Sequence, residues 1–235
     1  MQNTNVRLDE LNASTAAQLD TRVGLGMHPD SLLPHGQTLV DGISGPGETA
    51  YASARSAMAA MYSGLSDIEK ANTAMLQPVQ VGKETKMLVP DNRKAELGAA
   101  MEQKFSSVAK TIDRNMAVID ESVAALSQRI QIATSDPNKD RVSNAQIAGE
   151  VRQYLREMKN SSERMAFLTK AAEEGDLPVL AAVTSASCYT AGLNRSEHEL
   201  VKEMSARRFA PRESAQLSAA AKVKDALMAA SANFV

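Results

Sequence analysis

Between Tyr51 and Met75 the chain reads YASARSAMAAMYSGLSDIEKANTAM, and its inward positions return at steps of four and three: Ala54, Met58, Met61, Leu65, Ile68, Asn72 and Met75. An α-helix turns every 3.6 residues, so this spacing lays a single apolar seam along one side of a helix. Such a seam must be covered by another helix, from the same chain or from another copy. Met58, Met61, Leu65 and Ile68 are therefore read as contact residues. Asn72 stands on the same seam, where a buried amide fixes register and oligomeric state, although its place near the helix end also suits a frayed terminus. The helix is expected from Glu48 to Gln77, stopped by Pro78, with Gly64 weakening its interior by ~1 kcal/mol relative to alanine.

Working outward, Val79-Gln80-Val81 and Lys86 to Val89 flank Gly82 in the manner of a small hairpin. Asp91 is a good N-cap for the longest element, expected to run to about Ser135. Its stripe is Leu97, Met101, Phe105, Val108, Ile112, Met116, Ile119, Val123, Leu126, Ile130 and Ala133. The first steps follow an eleven-residue pattern, which keeps a helix nearly straight, and the rest reverts to heptads. A third helix follows Ser143, which with Gln146 forms a capping box, and carries Ile147, Val151, Tyr154, Met158, Ser161, Met165, Leu168 and Ala172 to a stop at Gly175. The short loop before it suits an antiparallel hairpin on the long helix. Asp176 opens a small-residue helix from Leu177 to Ala191, Ser196 with Glu199 caps the next, and an Ala-rich helix from Pro211 runs to about Ala232.

The first 47 residues hold most of the punctuation, among it Gly24, Gly26, Pro29, Pro34, Gly36, Gly42, Gly45 and Pro46. Only Val6 to Leu19 reads as a short helix. The remainder reads as an extended arm with apolar beads at Leu25, Leu32, Leu33, Leu39, Val40 and Ile43, and leucines at that density imply a surface to lie on. The expected organisation is thus all-α: an extended arm (1–47), long antiparallel helices in a bundle or coiled coil (48–175), and a C-terminal cap of shorter helices (176–235).

Composition narrows the function. The 235 residues are 43% apolar, but 38 of them are alanine, against four Phe, four Tyr and no Trp, which favours many closely packed helices over one bulky core. A net charge of −2 argues against a nucleic-acid binder. Charge is uneven: residues 1–47 carry two Arg against five acids and 193–235 carry seven Lys/Arg against five acids, a bias that could orient subunits head to tail. The single cysteine, Cys188, makes no intrachain disulfide. The N-terminus lacks a basic and apolar leader and no stretch approaches ~18 uninterrupted apolar residues, so a soluble product made in the cytoplasm is expected.

Catalytic patterns are weak. His28, His35 and His198 share no metal-ligand spacing. Ser107 and Lys110 match S-x-x-K but lie mid-helix without companion motifs. Gly42 to Gly47 precedes a helix, yet no strand comes before it and no Lys-Ser/Thr follows, so a phosphate cradle is not expected. Cys188 has no neighbouring histidine in sequence, and Arg207, Arg208 and Arg212 form a basic helix end. No cofactor or metal is expected, and no enzymatic role.

Glu174-Gly175-Asp176-Leu177-Pro178-Val179-Leu180-Ala181-Ala182-Val183, followed by Tyr189 to Leu193, resembles a stretch in helical proteins encoded by tailed bacteriophages. The resemblance spans residues 174–193 and implies a virion or assembly component; it transfers no site residues. Together with the seams, it leads to the expectation of a non-enzymatic structural protein that oligomerises or attaches to a larger particle. Its contacts are expected along Leu25, Leu32, Leu33 and Leu39 of the arm, Met58, Met61, Leu65, Ile68 and Asn72 of the first long helix, and Met116, Ile119, Val123 and Leu126 of the longest. The alternative is a membrane-active, ejection-type protein whose helices rearrange at a bilayer, though basic, aromatic-rimmed faces are lacking.

Overall fold

The computed structural model describes residues 4–40, 44–75, 79–81, 84–86, 91–136, 142–232 and 234. The described residues are all-α apart from one antiparallel hairpin, β1 (Val79–Val81) with β2 (Glu84–Lys86), in which Val79 pairs with Lys86 and Val81 with Glu84. The second strand begins earlier than expected, and residues 87–90 lie outside the described residues. The helices are α1 (Thr4–Ser14), α2 (Leu33–Leu39), α3 (Pro46–Met75), α4 (Asp91–Ala133), α5 (Val142–Glu157), α6 (Ser161–Glu174), α7 (Leu177–Thr184), α8 (Arg195–Phe209) and α9 (Pro211–Ala232), with 3-10 turns at Leu25–Met27 and Pro29–Leu32. Packing divides the chain into two units, Met1–Val123 with Ala219–Val235, and Ala124–Ser218. The divisions fall within α4 and α9, not at 47 and 175 where the sequence suggests them. The reason is that the end of α9 packs with the first part of α4, while α5 to α8 gather round a core of their own.

In the first unit the expected extended arm is instead largely helical and lies back on α3. The seam of α3 supplies the reason: Tyr51, Ala54, Met58 and Met61 are buried, and Leu32, Leu39 and Val40 of the N-terminal segment are buried with them. Pro34 stands in the first turn of α2, where its missing N–H costs nothing. α1 stops at Ser14, short of the expected Leu19, where the hydroxyls of Ser14 and Thr15 both donate to the Leu11 carbonyl. Gly64 has a packing role beyond its cost to the helix. A Cβ there would come within 3.0 Å of Val108 Cγ2, so glycine lets α4 approach α3. Lys104 Nζ donates to Asp67 at 2.8 Å beside this approach, Lys224 Nζ of α9 donates to Asp120 at 2.5 Å, and the Phe105 and Phe234 rings lie 5.0 Å apart.

Gly36 is the tightest point of the segment. A Cβ there would meet Leu8 Cδ1 at 2.8 Å and the Tyr51 hydroxyl at 2.9 Å. Gly36→Ala is therefore expected to destabilise the first unit by about 1–3 kcal/mol through overpacking. Faster limited proteolysis between α1 and α2 reads this out, and an unchanged rate would refute the tight fit.

In the second unit the single third helix expected from Ser143 to Ala172 is two helices. The chain breaks at Met158–Asn160, where Asn160 accepts from Ser162 N at 2.9 Å to cap α6 and Arg164 Nη1 donates to Met158 O at 2.6 Å. Asn-Ser-Ser is poor in helix interiors and good at helix starts, because its side chains compete for main-chain groups. The break lets Leu155 of α5 and Leu168, Ala171 and Ala172 of α6 point into one core with Leu180, Val183, Leu193 and Val201. The principal neighbour of α5 is α7, a departure from the expected long antiparallel hairpin on α4. Gly175, at φ 76°, ends α6 and Asp176 caps α7, both as read from sequence.

α7 stops at Thr184, short of the expected Ala191. Its last carbonyls are taken by side chains: Ala181 O by the Ser185 hydroxyl at 2.6 Å, Ala182 O by Arg152 at 2.9 Å and Val183 O by His198 Nε2 at 3.2 Å. Helix ends leave such carbonyls free, and cationic or N–H donors there stabilise the terminus. α8 is capped by Asn194, not Ser196: Glu197 N donates to the Asn194 side chain and Asn194 N to the Glu197 carboxylate, a complete capping box two residues earlier. Glu197 also accepts from the Ser161 hydroxyl at the start of α6, a bond that Glu199 does not make. That hydroxyl, with the Asn194 amide, holds the Glu197 carboxyl below its ordinary value.

Candidate functional site

The most developed polar constellation lies under the N-terminal segment. Arg55 projects from the apolar side of α3 and is fully buried. Its guanidinium donates to Pro29 O at 2.8 Å, Thr15 Oγ1 at 2.8 Å, Asn12 O at 3.2 Å and Asp30 Oδ1 at 3.1 Å, and it stands 5.8 Å from the Tyr51 ring centroid. Tyr51 donates to Asn12 Oδ1 at 2.9 Å, and burial pushes its phenol above the usual value against the opposing pull of Arg55. His28 is buried edge-on to Tyr62 at 4.8 Å; its Nδ1 accepts from Asp30 N, which leaves Nε2 as the donor to Ala17 O, both at 3.2 Å. Both ring nitrogens are thus used in holding the segment's own backbone. The arrangement anchors; it presents no free nucleophile, and its polar atoms face protein groups.

A second anchor is Asp20. Its carboxylate accepts from Arg22 Nε and Nη2 at 2.9 and 2.8 Å, from Arg22 N at 3.1 Å and from the Ser66 hydroxyl of α3 at 2.7 Å. Tyr62 Oη accepts from Asp20 N at 2.7 Å and donates to Asp20 O at 2.9 Å. The Arg22 guanidinium and the Ser66 hydroxyl hold the Asp20 carboxyl well below the ordinary carboxylate range. A folded value below the unfolded one means the ionised carboxylate stabilises the fold at neutral pH, a contribution lost as pH falls below about 4. Asp20→Asn is therefore expected to lower Tm at pH 7, with the gap from the parent narrowing below pH ~4. A gap that stays constant across an acid titration of Tm would refute the assignment.

Each unit also presents an open surface. In the first, a groove of about 730 Å³ runs beside Phe105, Ala109, Ile112 and Phe234, edged by Glu102 and Asp113. In the second, a more polar groove of about 520 Å³ lies among Gln131, Asp136, Ile147, Arg152 and Pro178. Arg152 spends one nitrogen on Ala182 O, so that groove is already partly claimed by the fold.

The contact residues expected from sequence separate into two sets. Leu32, Leu39, Met58, Met61, Ile119 and Leu126 are buried inside the chain, so they are core and not free contact surface. Leu65, Ile68, Met116 and Val123 are half-buried, Asn72 is exposed, and Leu25 and Leu33 are open to solvent. Among the described residues no group of three His, Cys, Asp or Glu is placed to hold a metal, and no helix is long and apolar enough to cross a membrane. No family model, curated protein or solved structure matches the chain.

Arg55 was missed in reading the sequence for sites, although a signal was there. It follows Ala54 and precedes Met58 by three, which places a cation on the apolar side of α3. A charge in that position demands buried partners. The partners themselves, two of them main-chain carbonyls, carry no sequence mark.

Proposed function

We propose that the protein is a non-enzymatic structural or assembly component that oligomerises or attaches to a larger particle. The supporting observation is the groove of about 730 Å³ in which Ala109 is exposed and Phe105 half-buried above the buried Ile112 and Phe234. Apolar surface of this kind gains by association. The buried anchors favour the same reading: the chain's elaborate polar chemistry is consumed in holding helices. Placement in a phage particle rests on the resemblance over residues 174–193, whose Leu180, Ala181, Ala182 and Val183 also serve the core of the second unit. Cross-linking in the native source tests that part.

Ala109 is exposed in the groove, so Ala109→Glu brings a charge there without opening the core. Size-exclusion chromatography with light scattering is expected to show an oligomer for the parent and, for Ala109→Glu, association weakened by about 3 kcal/mol, a roughly 100-fold rise in Kd. A parent that stays monomeric at every concentration, with no partner cross-linked in its source, would refute the reading.

A further inference from the structure

We propose that the groove beside Phe105 and Phe234 seats one α-helix of another molecule, a helix apolar on the side it turns to the groove and carrying Lys or Arg near both ends of the buried stretch. This rests on the assembly reading above and adds to it the chemistry of the partner.

The register of α4 gives the seat its shape. Glu102, Ser106, Ala109 and Asp113 line the groove and follow one another at steps of four, three and four, so they lie along one face of the helix. All four are exposed, with half-buried Phe105 and buried Ile112 beside them. Ser106 and Ala109 are short, as is Ala232 on the facing wall, and the hollow they leave takes the large side chains of an incoming helix as knobs into holes. Charge then selects which helix fits. Among the described residues that line the groove, those carrying charge are Glu102 and Asp113, one at each end. Asp113 follows Glu102 by eleven positions, about 16 Å at 1.5 Å per residue. That is three turns, a span matched by a helix lying lengthwise with its anchors at i, i+3, i+4 and i+7. Two copies of the groove set face to face would bring acid against acid in either direction, because the spacing reads the same from both ends. Like charges so placed oppose pairing, and the complement is a basic helix, not the groove itself.

Two labelled synthetic peptides of about four turns test this, identical in their leucine face, one with lysine in its first and last turns and its twin with glutamate there. Anisotropy titrations use the full chain and its Glu102→Gln/Asp113→Asn and Ala109→Trp variants, matched to the parent by circular dichroism; the three positions are exposed, so none of the changes opens the core. An exposed ion pair contributes up to about fivefold, so the lysine peptide is expected to bind the parent roughly tenfold more tightly than its twin at low salt. The preference is expected to vanish in the doubly neutralised variant and at ~1 M salt, while Ala109→Trp, which fills the hollow, weakens the lysine peptide without removing either acid. Twins that bind the parent alike, or a preference that survives neutralisation of both acids, overturn the proposal. Light scattering separates the failures. A parent oligomer that Ala109→Glu dissolves and the lysine peptide does not displace overturns the basic helix and leaves the assembly reading in place. A monomer that binds neither peptide and is cross-linked to nothing in its source overturns both.

Discussion

Arg55→Ala is expected to cost the first unit about 3–5 kcal/mol, a fall in Tm of roughly 10 °C. The cost arises from what the side chain leaves behind. Pro29 O, Asn12 O and Thr15 Oγ1 lose a charged donor beneath the N-terminal segment, and water enters only at the expense of the apolar contacts around them. The ion pair is the smaller part, because the Asp30 side chain is 52% exposed and keeps its hydration. Asp30→Ala is accordingly expected to cost no more than about 1 kcal/mol. Arg55→Lys recovers only part of the loss, since an ammonium cannot reach main-chain acceptors on several sides at once. Urea unfolding of the three variants decides the matter. Equal losses for Arg55→Ala and Asp30→Ala would show that the ion pair, not the fork to the backbone, holds the segment.

Leu168→Ala is expected to cost the second unit about 3–5 kcal/mol. Leu168 is fully buried on α6, and several of its fellow core residues, Ala171, Ala172 and Ala191, have nothing beyond Cβ with which to fill the space. The cavity therefore stays open, which places the substitution in the upper part of the range for leucine truncations. Leu168→Met keeps the volume and is expected to cost less than about 1.5 kcal/mol. Hydrogen exchange across residues 142–218 reads the difference, with protection in α6, α7 and α8 falling together in the alanine variant. If the two variants exchange alike, the core is looser than its burial indicates.

The elements that were legible from sequence are those decided by local chemistry. α4 carries the long stripe of large apolar residues and is found as one helix, and Gly175, Asp176 and Pro211 mark helix ends by their own backbone and side-chain preferences. Three departures have a common cause, competition between side chains for main-chain groups. The break at Met158–Asn160 and the choice of Asn194 over Ser196 are made by local caps, Asn160 on Ser162 N and Asn194 with Glu197, whereas the early end of α7 draws on Arg152 and His198 from other helices. Apolar spacing along one helix reports none of them. The N-terminal segment departs for a different reason. Its glycines and prolines mark turns correctly, but whether Leu32 and Leu39 face solvent, a neighbour or α3 depends on the α3 seam being open to receive them. Of the candidate contacts, the leucines at 25 and 33 lie open to solvent, while those at 32 and 39 are core.

The Glu197 carboxylate has a consequence for how this sequence can vary. It closes the box at the start of α8 and also holds the first hydroxyl of α6, so one side chain completes two helix beginnings. A change at 197 that removes the carboxylate loses both bonds, whereas a change at 161 loses only the hydroxyl and one at 194 leaves its main-chain N–H on the carboxylate. Position 197 is thus the shared hinge-pin of two helix starts, and descendants of this chain are expected to tolerate change at 161 more readily than loss of the acid at 197.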